Sequence, residues 1–240
     1  MTPNRRRFVF WRLLPGIAGV LVVAVTGCVV PLTDERGSAN ADGRPLCLGE
    51  PAGNFDPAWP QTTLTDWVSY TDQLSVVTVV SEKALSPFEE TDENGGMVGR
   101  SVTLAIERTL WRRDEAPSVN GTVSVITWGW IVDGDDRHRL RVGGGAWLEV
   151  GDRYVVPLTR SKSDDGFEWG SGPDMATFPL DGATIVCGTV RETEFGGEDI
   201  SGISVEELAA RFAATKPDPL AVRLGRLDPS ARWQAVYRAQ

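Results

Sequence analysis

The sequence predicts a mainly β domain followed by C-terminal helices, either a small closed barrel or a sandwich. Three observations carry this prediction. Five short apolar segments recur between turn residues, and some of them alternate with a period of two. Glycine is abundant, at 26 of 240 residues, which favours strands joined by turns over a helical bundle. A helical period sets in only after Gly197.

Residues from Val29 to about Asn54 are rich in Asp, Glu, Gly, Ser, Asn and Pro, the composition of a tether. Pro57, Trp59 and Pro60 then introduce Asp66-Trp67-Val68-Ser69-Tyr70, a short helical or turn segment. Strands are expected over Leu74 to Val80, Val102 to Trp111, Thr122 to Val132, Arg153 to Leu158 and Thr184 to Val190. In the second, Val102, Leu104 and Ile106 form an apolar face, as Tyr154, Val156 and Leu158 do in the fourth. A sixth piece, Thr177-Phe178-Pro179-Leu180, suits a sheet edge, where Pro179 is tolerated. Glu89 to Gly96 reads as a solvated loop. Ser204-Val205-Glu206-Glu207 is a capping box, and Val205, Leu208 and Phe212 share one face of a helix reaching about Ala214. A second helix starts at Asp228-Pro229, with Trp233, Val236 and Tyr237 placed to lie against the β domain.

The first residues have the order of an exported leader: Arg5, Arg6, Arg7 and Arg12, then an apolar run from Leu13 to Val25 that is too short and glycine-punctuated for a spanning helix. Val25-Thr26-Gly27-Cys28 resembles the bacterial lipobox, in which small residues precede the acylated cysteine. The resemblance implies a signal peptide over 1–27, a diacylglyceryl group with palmitate-type chains on the Cys28 thiol, and Cys28 as the mature N-terminus. Two acyl chains, at about 0.8 kcal/mol for each buried methylene, anchor firmly where one would not. Asn4-Arg5-Arg6-Arg7-Phe8-Val9 is similar to the twin-arginine export signal, so the twin-arginine and general routes both stay open. Either delivers the protein to the extracytoplasmic face of the cell membrane.

Cleavage after residue 27 removes four arginines and no acid, leaving 20 basic against 33 acidic side chains and a formal charge of −13. No basic cluster survives to displace counterions, which disfavours nucleic acid as a partner. Cys47 and Cys187 remain as an even pair in a compartment where disulfides persist. A bridge between them would close a loop of about 140 residues and stabilise by perhaps 2–5 kcal/mol. The chain then divides into a signal peptide (1–27), a tether and approach to the domain (28–60), a β domain (61–192) and a helical appendage (193–240).

The succession Gln73-Leu74-Ser75-Val76-Val77-Thr78-Val79-Val80, Thr109-Leu110-Trp111 and Val150-Gly151-Asp152-Arg153-Tyr154-Val155-Val156-Pro157-Leu158 resembles netrin-like domains of the metalloproteinase-inhibitor type. Across about residues 66 to 190 it implies an OB-like β-barrel of five to six strands. Inhibitory members of that family reach a metal through an N-terminal cysteine folded into the domain. Here the mature Cys28 would be acylated and the domain begins much later, so the resemblance carries fold and no inhibitory residue.

Chemistry-bearing motifs are few. His138, the only histidine, lies in Asp133-Gly134-Asp135-Asp136-Arg137-His138-Arg139, which reads as a charged surface loop; no G-x-S-x-G or S-x-x-K supplies a nucleophile for it. Asp133, Asp135 and Asp136 are hard oxygen donors, but Arg137 stands where a third calcium ligand belongs. Gly143-Gly144-Gly145 lacks the dinucleotide fingerprint. Trp128 and Trp130 flank Gly129, so in a regular strand they share one face and form the candidate ligand-binding pair, with Trp111, Trp147 and Trp169 as further members of an exposed aromatic patch. No metal and no cofactor are expected.

These features predict a noncatalytic, membrane-anchored domain that binds a protein or polymer of the cell envelope; the alternative is an extracytoplasmic hydrolase using paired carboxylates or a metal. Cys28→Ala is expected to release or misprocess the protein. Mass spectrometry and membrane fractionation read this, and an unchanged mass with unchanged fractionation would refute the lipid anchor.

Overall fold

Thr63 opens the first helix by reciprocal capping. Its hydroxyl accepts from the Asp66 amide at 3.1 Å while the Asp66 carboxylate accepts from the Thr63 amide at 2.9 Å, so two orphan donors at the start of α1 (Leu64–Tyr70) are satisfied. This matches the segment expected before the first strand. The computed structural model describes residues 60, 63–87, 96–140, 146–163, 166–171, 176–193 and 196–239, all within the unit 36–240. The leader, Cys28, the tether, Cys47 and the triple glycine lie outside the described residues, as does all but the end of the Glu89–Gly96 loop.

The strands are β1 (Gln73–Pro87), β2 (Gly96–Arg112), β3 (Thr122–Asp133), β4 (Asp136–Arg139), β5 (Arg153–Ser163), β6 (Gly166–Ser171), β7 (Phe178–Asp181), β8 (Thr184–Ile185), β9 (Thr189–Thr193) and β10 (Gly196–Asp199). Helices α2 (Val205–Ala214), α3 (Pro219–Arg223) and α4 (Pro229–Ala239) follow. Five strands close a small OB-like barrel in the order β1-β2-β3-β6-β5 and back to β1, antiparallel throughout except for the parallel β3–β6 contact. Closure sets aside the sandwich. It rests on β1, whose first half pairs with β2 on one side and β5 on the other. Four register shifts against β2 bend β1 for that double role.

Alternation along the strands sorts the core into two layers. Val77, Val79, Val102, Leu104, Val123, Val125, Tyr154, Val156 and Leu158 fill the barrel. Leu74, Val76 and Val155 face the other way, and α1, α2 and β7 cover them with Trp67, Phe178, Leu208 and Phe212. β1 and β5 are thus apolar on both faces, which is why Ser75-Val76-Val77-Thr78-Val79 reads as an almost continuous run. Outside the barrel, Glu107 of β2 accepts from Thr78 of β1 and from Arg153 of β5, at 2.7 Å from Arg153 Nη2. The Arg153 hydrogen bonds hold the Glu107 carboxyl below its usual range.

Several expectations are corrected. The strand expected over Thr184 to Val190 is two strands of different sheets: β8 pairs with β7, and β9 pairs with β10. Gly188 separates them, and a Cβ there would sit 2.4 Å from the Phe178 ring. The charged segment from Asp133 to Arg139 is not an irregular loop but a hairpin, with β4 paired to β3. β6, which closes the barrel, was not expected, nor was α3. In α2 the Ser204 hydroxyl accepts from the Glu207 amide, and Val205, Leu208 and Phe212 are buried as expected. In α4 Tyr237 is exposed and Arg232 is fully buried instead.

That arginine belongs to the joint holding the helices to the barrel. Arg232 Nη1 donates to the Ser69 carbonyl at 2.6 Å and Nη2 to that of Leu227 at 2.9 Å. The Asp72 carboxylate lies 3.9 Å from Arg232 and 2.5 Å from Arg113, and it also accepts from the Arg160 amide. Burial, with Arg113 nearby, pulls the Arg232 guanidinium down to about 10, against the attraction of Asp72. Asp72→Asn would leave two guanidinium groups facing each other without their counter-charge. A loss of about 3–5 kcal/mol is expected, read by urea unfolding; a loss below about 1 kcal/mol would show that the joint does not depend on this charge.

Candidate ligand-binding face

Beyond Val79 and Ile126 the closing strands stop, and β1, β2, β3 and β4 run on as an antiparallel ledge past the barrel. The hairpin at its end turns at Gly134-Asp135, where Gly134 takes φ +57°, a left-handed conformation that glycine tolerates.

One β-bulge sets the chemistry of the ledge. Arg100 pairs with Thr127 but Val98 pairs with Trp130, so β3 carries an extra residue opposite Gly99. The alternation switches there. Trp130 and Val132 therefore continue the face of Val123 and Val125, the barrel interior, while Trp128 lies in the bulge itself. The expectation that Trp128 and Trp130 share one face of a regular strand is corrected on this ground. Both are half-buried. Gly129 does not leave open space either: a Cβ there would lie 2.1 Å from the Val98 carbonyl oxygen.

On the interior-side face, cross-strand pairing places Arg139 beside Trp130 and Arg137 beside Val132. Ile131 with His138, and Asp133 with Asp136, fall on the opposite face. The pleat thus separates the arginines from the aspartates that adjoin them in sequence.

The arginines stack on indoles. The Arg137 guanidinium carbon sits 3.6 Å from the Trp130 ring centroid, and Trp130 meets Trp147 edge-on at 5.5 Å and 64°. Arg100 and Arg139 approach Trp147 at 3.5 and 4.8 Å. Tyr154, inside the barrel, positions that rung: its hydroxyl donates to the Trp147 carbonyl at 2.9 Å and accepts from the Glu149 amide at 3.0 Å. Burial pushes the Tyr154 phenol up, so it stays neutral. Leu148 plugs the barrel beside it.

Charge on this face is mostly cancelled. Arg100, 2% exposed, donates to Glu82 at 2.6 Å, to the Leu148 carbonyl at 2.9 Å and to the Trp128 carbonyl at 3.0 Å. Burial pulls its guanidinium down and Glu82 opposes that shift. Arg139 pairs with Glu149. Arg137 is exposed, and among the described residues no carboxylate pairs with it. The Trp147 indole N–H is buried with no acceptor among them.

No protein-family model, curated protein or solved structure matches this chain. The site therefore stands on its geometry.

The other candidates go elsewhere. Trp111 packs on Phe212 at 5.7 Å and Trp169 lies against the barrel core, so neither joins an exposed patch, and Trp147 is covered by Arg100. His138 is exposed across from Ile131. Among the described residues no three His, Cys, Asp or Glu side chains come together to hold a metal. Cys187 is half-buried; Cys28 and Cys47, the other two cysteines, lie outside the described residues. A concavity of about 340 Å³ opens between α1, the end of β2 and α2, lined in part by Val68, Trp111 and Phe212. The residues that sequence reasoning missed are Arg100, Arg137 and Arg139; the cue for Arg137 and Arg139 was their two-residue spacing, which a hairpin places on one face, and Arg100 of β2 carried no such cue.

Gly129→Ala is expected to push β2 and β3 apart at the bulge. A destabilisation of about 1–3 kcal/mol by urea unfolding should accompany loss of the near-ultraviolet signal from Trp130 and Trp147. Unchanged stability and spectrum would show that the close approach is not required.

Proposed function

We propose that this protein is a lipid-anchored, noncatalytic binding module on the extracytoplasmic face of a cell membrane, and that it engages an envelope protein or polymer through the ledge beyond the barrel. The single observation that carries the binding role is the ladder Arg137–Trp130–Trp147–Arg100, in which stacked side chains stand preformed at the open end of a closed barrel. A rigid scaffold with an aromatic and cationic end suits recognition because little side-chain freedom is left to lose on binding.

The address is read from the leader and from Val25-Thr26-Gly27-Cys28. The same compartment favours a Cys47–Cys187 staple, the even pair that remains once Cys28 is acylated. OB-like barrels bind ligands on the face of their second and third strands, and the ledge is built on β2 and β3, an argument from fold analogy.

Photocrosslinking tests the reading. Benzoylphenylalanine replacing Val132, on the ladder face, is expected to give a discrete adduct in intact membranes, whereas the same probe replacing the exposed Tyr237 of α4 is not. Equal labelling from both positions, or none from Val132, would sink the assignment of this face. Digestion of the same preparation without reduction is expected to join the Cys47 and Cys187 peptides; alkylation of Cys187 in the unreduced protein would remove the staple.

A further inference from the structure

We propose that the ledge recognises an anionic polymer, with Arg137 binding its carboxylate or phosphate groups; this rests on the reading of the ledge as the binding face. Three observations combine with the chemistry of the guanidinium. The Arg137 guanidinium lies over the Trp130 ring at 3.6 Å, a contact with the indole face that does not use up its N–H donors. Planar N–H donors arranged in this way match carboxylate and phosphate oxygens bidentately. Among the described residues Arg137 is also the cation of this face without a carboxylate partner, since Arg100 pairs with Glu82 and Arg139 with Glu149. Finally, the hairpin register puts Asp133 and Asp136 on the opposite side of the pleat, so the acids that adjoin Arg137 within the hairpin do not share its face.

The rest of the chain sharpens the argument. With a formal charge of −13 after residue 27, the protein repels anions in general, and Arg137, which no carboxylate pairs with among the described residues, stands beside the neutralised Arg100–Glu82 and Arg139–Glu149 pairs as the place where an anion is admitted. A single guanidinium holds one such group weakly. A ligand that repeats the group along a chain rebinds before it diffuses away, which favours a polymer over a lone small anion.

Equilibrium binding of the full chain in detergent to polygalacturonate, polyphosphate and neutral dextran tests this, with tryptophan fluorescence as the readout. At least one polyanion should bind about tenfold more tightly than dextran and weaken as salt rises. Arg137→Gln should lose about tenfold of that affinity, Arg137→Lys should lose less, and Arg238→Gln, an exposed charge on α4, should lose none. Preference for polygalacturonate assigns a carboxylate ligand and preference for polyphosphate a phosphate one. Binding no tighter than dextran, an unaffected Arg137→Gln, or an equal loss in Arg238→Gln would overturn the inference. If Arg137→Gln still gives the Val132 adduct in membranes while no polyanion binds, the binding face stands and the anion does not.

Discussion

The fold hangs on Asp72, a buried carboxylate placed where several elements converge. Its backbone amide donates to the Leu158 carbonyl of β5 and its carbonyl accepts from the Arg113 amide at the end of β2. Its side chain accepts from Arg113 and from the Arg160 amide and faces Arg232 of α4. One residue thus ties the start of β1 to both of its barrel neighbours and to the last helix. Buried charge is costly unless it is compensated, so removal of any partner leaves the others exposed to that cost. The helices need this joint because α4 buries little apolar area of its own: Val236 is buried, Trp233 only partly, and Tyr237 not at all.

A second constraint, the bulge opposite Gly99, decides what the far end of the barrel offers. Without the extra residue in β3, Trp130 would follow Ile126 to the outer face and the ladder could not form. Gly129 permits the bulge because the Val98 carbonyl occupies the space of a side chain. Tyr154 extends the effect, carrying the interior of the barrel to the segment that holds Trp147. Packing and the placement of the indoles are thereby coupled, since Tyr154 fills the barrel and also holds the backbone of Trp147.

Much of the fold was legible in the sequence because burial imposes a period. Val102, Leu104, Tyr154, Val156 and Leu158 alternate, and all five point into the barrel. Val205, Leu208 and Phe212 recur at helical spacing and are buried together. What failed were short or polar elements. β4 is wholly exposed, so no apolar period marks it, and Gly188 interrupts an apolar run that otherwise resembles one strand. Arg232 was invisible for the opposite reason, since an arginine in a helix reads as surface until a buried carboxylate is found facing it.

For the site, the sequence by itself determined the ingredients: tryptophans at two-residue spacing, a glycine between them, and a run of acids followed by two arginines flanking His138. It also determined the mainly β architecture, because alternation and turn residues are local properties, whereas closure into a barrel rests on the long-range pairing of β1 with β5. Only the tertiary structure decided which tryptophan joined which arginine. A bulge of one residue reverses a face, a hairpin register separates Asp133 and Asp136 from Arg137 and Arg139, and Trp147 arrives from another part of the chain. Those outcomes depend on contacts between residues distant in sequence, and a local pattern carries no record of them.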